Sequence, residues 1–395
     1  MLVGLVALLF AHMADRAVAQ FETWTDQVAW LPLVLTPAVF VTTTWITMRH
    51  IPDGRGSGIP QVIASTRDPG RALESLISVK VAGLKLALTV FALLAGASVG
   101  REGPTVQIGA ALMARLHRLL RVPIRAGVVI AGGAAGVAAA FNTPLAGVAF
   151  AIEELANSFE QKVALLVMTA VLIAGIVSLG IAGDYVYFGV MGQTLAIDRV
   201  LVIAPVAGVT GGLAGGLFSR LLLGFTRRRA ALFGALGANG LAWAFVCGLV
   251  VAIVGVATGL TWGTGYGTAR AIIEGAETSF WFGPAKLLAT LATALAGIPG
   301  GIFSPSLATG AGFGRLLQVL FPNDPSGAVV LLGMVAYFTG VVRAPLTAVI
   351  IIVEATASRG LILPLFSAAL IAEGTARLIC RERLYHGLAK QFGVR

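Results

Sequence analysis

The sequence predicts an all-α polytopic membrane protein built from two repeats, with many tilted, partly re-entrant helices. Three observations predict it. Of 395 residues, 57% are hydrophobic and only 12% are charged, about half the ~25% charged share of a soluble domain, and the mean hydropathy is +0.90. The apolar runs are long and continuous, unlike the alternating segments of about 10 residues that build a transmembrane barrel. Finally, 50 residues are Gly, well above the usual ~7%, a surplus that suits close helix packing and broken helices. So apolar a chain is not disordered. The two cysteines, Cys247 and Cys380, sit in apolar runs and cannot staple a small secreted fold.

In chain order the apolar runs are 1–13, 28–48, 76–99, 105–120, 124–141, 144–156, 162–182, 199–225, 231–260, 282–297, 305–321, 327–341, 345–357 and 360–380. Ala17-Val18-Ala19 looks like a signal-peptidase site, but no basic stretch precedes the first run, so it reads as a retained helix. Runs near 20 residues are long enough to span a bilayer. Shorter ones end at Gly or Pro clusters and read as half-helices, which membranes tolerate only inside protein or beside a water-filled cavity. About two helices fit before Gly56, and too little chain follows Tyr385 for a regulatory domain.

Lys and Arg number 28 against 18 acids, a net charge of +10. The excess clusters in short loops at Arg115, Arg118, Arg121 and Arg125, at Arg227, Arg228 and Arg229, and at Arg377, Arg381, Arg383, Lys390 and Arg395. The positive-inside rule places these loops and the C-terminus in the cytoplasm. No aromatic or RNA-type motif lies among them, so nucleic acid is not the partner. The loop 183–198 is poor in basic residues and fits the outside.

A constant shift of 201 residues aligns Pro104 with Pro305, Gly109 with Gly310, Gly132 with Gly333, Pro144-Leu145 with Pro345-Leu346 and Glu153 with Glu354. Two halves, 1–198 and 199–395, follow, with their relative orientation left open. Interrupted segments at matching positions of the two halves point to the substrate site.

Four places break the apolar pattern: Gly56-Ser57-Gly58-Ile59-Pro60, Gly100-Arg101-Glu102-Gly103-Pro104, Gly300-Gly301-Ile302-Phe303-Ser304-Pro305, and Tyr385. Pro suits the first helical turn, and Gly lets the backbone approach a ligand. Helix N-termini aimed at one point would hold an anion through N–H groups and partial charge, without the full charge that slows release. Glu102 opens one of these helices. An acid kept in an apolar surround is a functional hypothesis by default; placed there, its carboxylate would occupy an anion's place and leave when protonated. Glu153 and Glu154 form a second acidic spot. Glu153 has Glu354 as its repeat mate and suggests a structural task, whereas Glu154 has Ala355 opposite it.

With the stretch 141–154 (FNTPLAGVAFAIEE), these motifs resemble the CLC chloride channel and transporter family, from about Trp30 to Tyr385. The resemblance implies an inverted repeat and a homodimer with one anion pathway per subunit. It implies anion binding by the Ser57 and Tyr385 hydroxyls and the backbone N–H groups of Ile302 and Phe303. Glu102 would be the gating glutamate and Glu154 the internal proton glutamate, which favours chloride/proton exchange over a passive channel. Ser57 favours chloride as the anion. The amphipathic segment that many relatives carry ahead of the first helices is absent or trimmed.

Lys80, Lys286, Arg101 and Arg343 lie near or within apolar segments. Each either raises the potential of the pathway or pairs with acids such as Glu354 or snorkels. Gly96-Ala97-Ser98-Val99-Gly100 matches a hydrolase pattern, but it closes an apolar helix, and His12, His50, His117 and His386 all lie near segment ends, leaving no base. No metal-ligand spacing or phosphate loop appears, so neither an enzyme nor a cofactor beyond transported chloride is expected. The expectation is exchange of chloride for protons across a bacterial-type plasma membrane; a passive anion channel is the alternative, and a membrane enzyme or scaffold a third.

Overall fold

In the computed structural model the apolar runs become helices broken at Gly and Pro. Residues 1–156, 161–183, 186–233 and 237–392 are described. Arg395, residues 184–185 of the loop expected outside and the side chain of Arg229 lie outside the described residues. The helices are α1 (Leu2–Gln27), α2 (Pro32–His50), α3 (Ile59–Ser65), α4 (Pro69–Ala72), α5 (Val79–Leu93), α6 (Glu102–Leu119), α7 (Ala126–Phe141), α8 (Pro144–Phe150) and α9 (Gln161–Ala182). There follow α10 (Ile197–Phe233), α11 (Gly237–Thr258), α12 (Tyr266–Ile273), α13 (Phe282–Ala296), α14 (Phe303–Leu320), α15 (Ser326–Val342), α16 (Pro345–Thr356), α17 (Ile362–Ile379) and α18 (Leu384–Ala389). No strand occurs among the described residues. The segments containing α1, α9, α10, α11 and α17 are long and apolar enough to cross a membrane, while α7, α13, α15 and α16 are shorter apolar helices.

Three boundaries differ from the hydropathy reading. The run at 1–13 extends to Gln27, because Ala14, Ala17 and Phe21 continue its buried stripe past the polar Asp15 and Arg16. The run at 76–99 stops being helical at Leu93 and turns at Gly96 (φ +75°). Helix α12 lay between apolar runs; it has eight residues with a charged Arg270.

Helix starts and stops follow local chemistry. Pro sits in the first turn of α2, α3, α8 and α16. Some of the glycine surplus lies in close-packed helix seams. A Cβ on Gly136 would stand 2.6 Å from Thr105 O of α6, and one on Gly212 would stand 2.6 Å from Ala372 O of α17. The interior is filled by α15, whose residues from Gly327 to Val342 are all buried.

The repeat is visible as geometry. Helices α7 and α15 both end in a left-handed residue, Asn142 (φ 56°) and Arg343 (φ 62°), and the next helix starts two residues later. Gly100 and Gly301 pair as an isolated antiparallel bridge. Glu354 accepts from Leu145 N and Ala146 N at 3.1 and 2.8 Å, while Glu153 accepts from Leu346 N and Thr347 N at 3.2 and 2.8 Å. Each acid therefore caps the helix that carries its repeat mate. Such reciprocal contacts are the signature of a local two-fold relation.

Candidate functional site

Three Gly/Pro loops meet in the interior, ahead of α3, α6 and α14. Gly100 N and Gly301 N donate to each other's carbonyls at 2.6 and 2.8 Å, and Gly300 N donates to Gly56 O at 3.2 Å. Gly58 has φ +115°, and a Cβ there would stand 2.5 Å from Gly103 O, so both backbone and space demand glycine. Gln61 donates to Asp53 O and Arg55 O at 2.9 and 2.7 Å, bracing the loop ahead of Ser57. Main chain, rather than long side chains, fixes this junction.

Glu102 is 1% exposed. Its Oε1 accepts from the Ser304 hydroxyl, and its Oε2 accepts from Ser304 N at 3.3 Å. The carboxylate thus rests on the first turn of α14, where unpaired N–H groups and the helix dipole favour negative charge. Gly100 lies directly behind it: a Cβ there would overlap Glu102 Oε2 and stand 3.0 Å from Pro305 Cδ. The preceding residue is clamped to α1. Arg101 donates to both Asp15 carboxylate oxygens at 2.8 Å, to Ala11 O at 3.2 Å and to the Tyr187 hydroxyl at 3.3 Å.

Ser57 Oγ and Tyr385 Oη are buried and have no hydrogen-bond partner. The two hydroxyls face one another without meeting hydrogen-bond geometry, and Tyr385 lies within electrostatic reach of both Glu102 and Glu154. A buried hydroxyl left unpaired costs about 1–3 kcal/mol, so two together mark a place for a ligand. Ile302 and Phe303 bring their amides to the same helix end that holds Glu102. The Phe303 ring packs on Phe141, Phe150 and Phe338, with centroids 5.5, 6.0 and 4.5 Å away. Its side chain is core, and its amide is the part at the helix end.

Two cavities approach this junction. One of ≈ 780 Å³ is lined by residues including Asp15, Arg101, Tyr187 and Trp262. Another of ≈ 70 Å³, room for a few waters, is lined by residues including Arg55, Ser57, Ile302 and Phe392. Arg101 reaches the first and Ile302 the second, while Glu102 lines neither.

The second acidic spot lies in a π-helical turn, Ala151–Leu155, a local widening that often accompanies function. It sends the adjacent acids apart. Glu153 caps α16 and also accepts from Thr347 Oγ1 at 2.8 Å, the structural task its repeat mate suggested. Glu154 is 0% exposed; its Oε1 lies 3.2 Å from His386 Nδ1, and its Oε2 has no partner.

The cations split. Lys286 donates to Thr261 O and Gly263 O at 2.9 and 2.8 Å, and Lys80 is exposed. Arg343 donates to Glu373, Cys380 O and Arg381 O at 3.1, 3.2 and 2.9 Å. It does not pair with Glu354, because that acid is committed to the N-terminus of α8. Ser98 of the hydrolase-like stretch is buried against Thr290 Oγ1 at 2.9 Å. Among the described residues no cluster of His, Cys, Asp and Glu is suited to a metal.

Sequence reasoning missed three participants. Ser304 lay inside a quoted motif but carried no role. Asp15 sits on a helix expected to end at residue 13. His386 was set aside as a segment-end histidine, although its place beside Tyr385 was a usable signal.

Comparison with known proteins gives a consistent picture. A family profile described as voltage gated chloride channel matches residues 38–377. The chain is 31% identical over 433 aligned positions to the H(+)/Cl(-) exchange transporter ClcA of Vibrio cholerae serotype O1, covering 98% of this chain and 87% of the relative. It is 30% identical to the protein of the same name from Salmonella paratyphi A, covering 97% and 85%. Among solved structures, a slow cyanobacterial Cl-/H+ antiporter superposes with a TM-score of 0.84 at 25% identity, covering 99% of this chain and 96% of that one. A CLC-type fluoride/proton antiporter shares the fold with a TM-score of 0.78 at 23% identity, covering 96% and 94%.

Proposed function

The chain belongs to the voltage-gated chloride channel family, a family of membrane transport proteins and not of enzymes, and from that premise we propose that it exchanges chloride for protons across a membrane. The observation that carries this reading is the Glu102 carboxylate seated on the first turn of α14, between an outer and an inner cavity. An ionised Glu102 holds the place an anion would take. At the inner end of the path, chloride meets the Ser57 and Tyr385 hydroxyls and the Ile302 and Phe303 amides. These dipoles bind without a full opposing charge, so the anion can leave. Protonation from the inner side neutralises Glu102 and removes its attraction to the helix end. The neutral acid swings toward the outer cavity, the one at Arg101, and discharges its proton there, while chloride from that cavity takes the vacated place and passes inward, so the two ions cross in opposite directions. The same event opens the anion path and moves a proton, which is coupling. Glu154 serves the proton branch on the inner side, and a passive channel has no use for so deeply buried an acid.

The remaining parts of the reading follow from this. The halves 1–198 and 199–395 form an inverted pair around the site. The protein lies in a bacterial inner membrane, with the basic loops and the C-terminus cytoplasmic. Two copies associate as a homodimer with one pathway each, and chloride and protons are the only transported partners, with no cofactor.

Reconstitution tests the proposal. In liposomes with a chloride gradient and a pH electrode outside, the protein drives protons uphill, and Glu102→Gln abolishes that movement. Chloride flux with no proton movement in the wild type would leave only a passive channel.

A further inference from the structure

We propose that His386 is the proton-relay residue that joins water at the face bearing the C-terminus to Glu154. This deepens the exchanger reading and rests on Glu154 carrying protons. Glu154 is 0% exposed, and neither cavity is lined by it. A carboxylate so placed cannot load itself from water. Its hydrogen-bonded side-chain partner, His386, is 33% exposed. One edge of the imidazole lies on Glu154 Oε1 at 3.2 Å through Nδ1, which leaves the rest of the ring to reach water.

The other charged groups around this pair, among the described residues, are already committed. Arg383 donates to Glu153 O at 3.1 Å, and a guanidinium keeps its charge and does not shuttle protons. The Glu153 carboxylate is taken by the N-terminus of α16. Glu382 is paired with Arg227 of α10 and with Lys390. Among the described residues, imidazole is the one group in contact with Glu154 whose ordinary titration lies near neutrality. The placement also separates the two ions. Tyr385 and His386 are adjacent on α18 and so point about 100° apart. Tyr385 turns to the anion site and His386 to the buried acid, so anion and proton diverge at one helix.

The relay balances as a sequence of proton moves. Water protonates the outward nitrogen, giving imidazolium. The inward nitrogen then passes its proton to Glu154 Oε1, leaving a neutral ring and a neutral acid. Once Glu154 has handed its proton onward, rotation of the His386 side chain about both χ1 and χ2 brings the protonated nitrogen back to Glu154 and presents the bare nitrogen to water for the next cycle.

The test uses the full chain in liposomes, with proton and chloride fluxes recorded together. For His386→Asn we expect proton flux about a hundredfold below wild type, at the low end of what a positioned acid–base group contributes, and a lower proton-to-chloride ratio. Imidazole added on the C-terminal side restores several-fold of the lost proton flux, which a merely structural role for His386 would not allow. Should the variant misfold, ¹⁵N-histidine spectra of the wild type and Glu154→Gln supply the second measurement, with a changed His386 Nδ1 resonance expected once the carboxylate it contacts is neutralised. Proton flux within twofold of wild type in His386→Asn, or an unmoved Nδ1 resonance, overturns the relay. Undiminished proton flux in Glu154→Gln overturns instead the exchanger reading of Glu154.

Discussion

Replacing Glu153 by Gln isolates one of the two reciprocal caps, and its cost can be worked from the contacts. The carboxylate accepts from Leu346 N at 3.2 Å, Thr347 N at 2.8 Å and Thr347 Oγ1 at 2.8 Å. Gln has one carbonyl oxygen, which keeps the two short bonds in neutral form. A bond to a charged group contributes about 1.5–3 kcal/mol and a neutral one about 0.5–1.5, so each conversion loses about 1 kcal/mol. The new NH₂ faces the Leu346 N–H donor to donor, adding about 1 kcal/mol for an unsatisfied group. The total is about 3 kcal/mol. In Glu354→Gln one bond of 2.8 Å to Ala146 N is converted, and the Leu145 N–H, 3.1 Å from the other carboxylate oxygen, is orphaned. One conversion and one orphaned group total about 2 kcal/mol. Because both caps hold the contact between α8 and α16, the double variant should cost less than the sum. The assay is denaturant unfolding in mixed micelles followed by tryptophan fluorescence. If Glu354→Gln costs as much as Glu153→Gln, or if Glu153→Gln costs under about 1 kcal/mol, the charged-cap reasoning is wrong.

Three further outcomes are expected. Gly100→Ala puts a methyl where Glu102 Oε2 now sits, so the carboxylate loses its seat; chloride flux rises and the proton-to-chloride ratio falls, and an unchanged ratio would contradict the seated carboxylate. Ser57→Ala and Tyr385→Phe each remove a hydroxyl that no protein group uses, so stability shifts by under ~0.5 kcal/mol while calorimetric chloride affinity drops about fivefold for one lost hydrogen bond of ~1 kcal/mol; equal affinity would remove these hydroxyls from the site. In the loop between α14 and α15, the hydrogen bond from Arg199 Nε at 2.8 Å holds the Asp324 carboxyl below its usual range. A depressed value makes its stabilisation present at neutral pH and lost as pH falls through the folded-state value. The melting-temperature gap between wild type and Asp324→Asn should therefore be full at neutral pH and close in acid below about pH 4, and a gap that widens in acid would reverse the sign.

Much of this was legible because a membrane simplifies the code. Lipid forces backbone groups to pair internally, so apolar length and Gly/Pro punctuation alone locate most helices. The 201-residue shift paired Pro104 with Pro305, next to the bridged loops, and Glu153 with Glu354, whose shared structural task proved to be capping. What stayed hidden was side-chain reach across the fold. Arg101 and Asp15 are 86 positions apart, and Glu154 and His386 are 232 apart. Neither pairing leaves a periodic trace, and no spacing rule finds it. Helix α12 was hidden for another reason: eight residues with an arginine carry too little hydropathy to stand out.

The positions where the repeat is kept and where it is broken divide the work of the molecule. Along the 201-residue shift, Gly100 meets Gly301, Pro104 meets Pro305 and Glu153 meets Glu354. All three pairs serve the scaffold, as a backbone bridge, as helix first turns and as caps. Between them the match fails: Arg101 faces Ile302, Glu102 faces Phe303, Gly103 faces Ser304, and Glu154 faces Ala355. The failures are complementary. Ser304 stands in the place of Gly103, and its hydroxyl receives the carboxylate that stands in the place of Phe303. Two glutamates at mirrored positions would put like charges across the Gly100–Gly301 bridge, where each would compete for the other's helix end at a cost of several kcal/mol in so dry a site. Under the proposed exchange, a symmetric scaffold therefore carries one gate, not two, and directional coupling requires the repeat to be broken at Glu102 and again at Glu154.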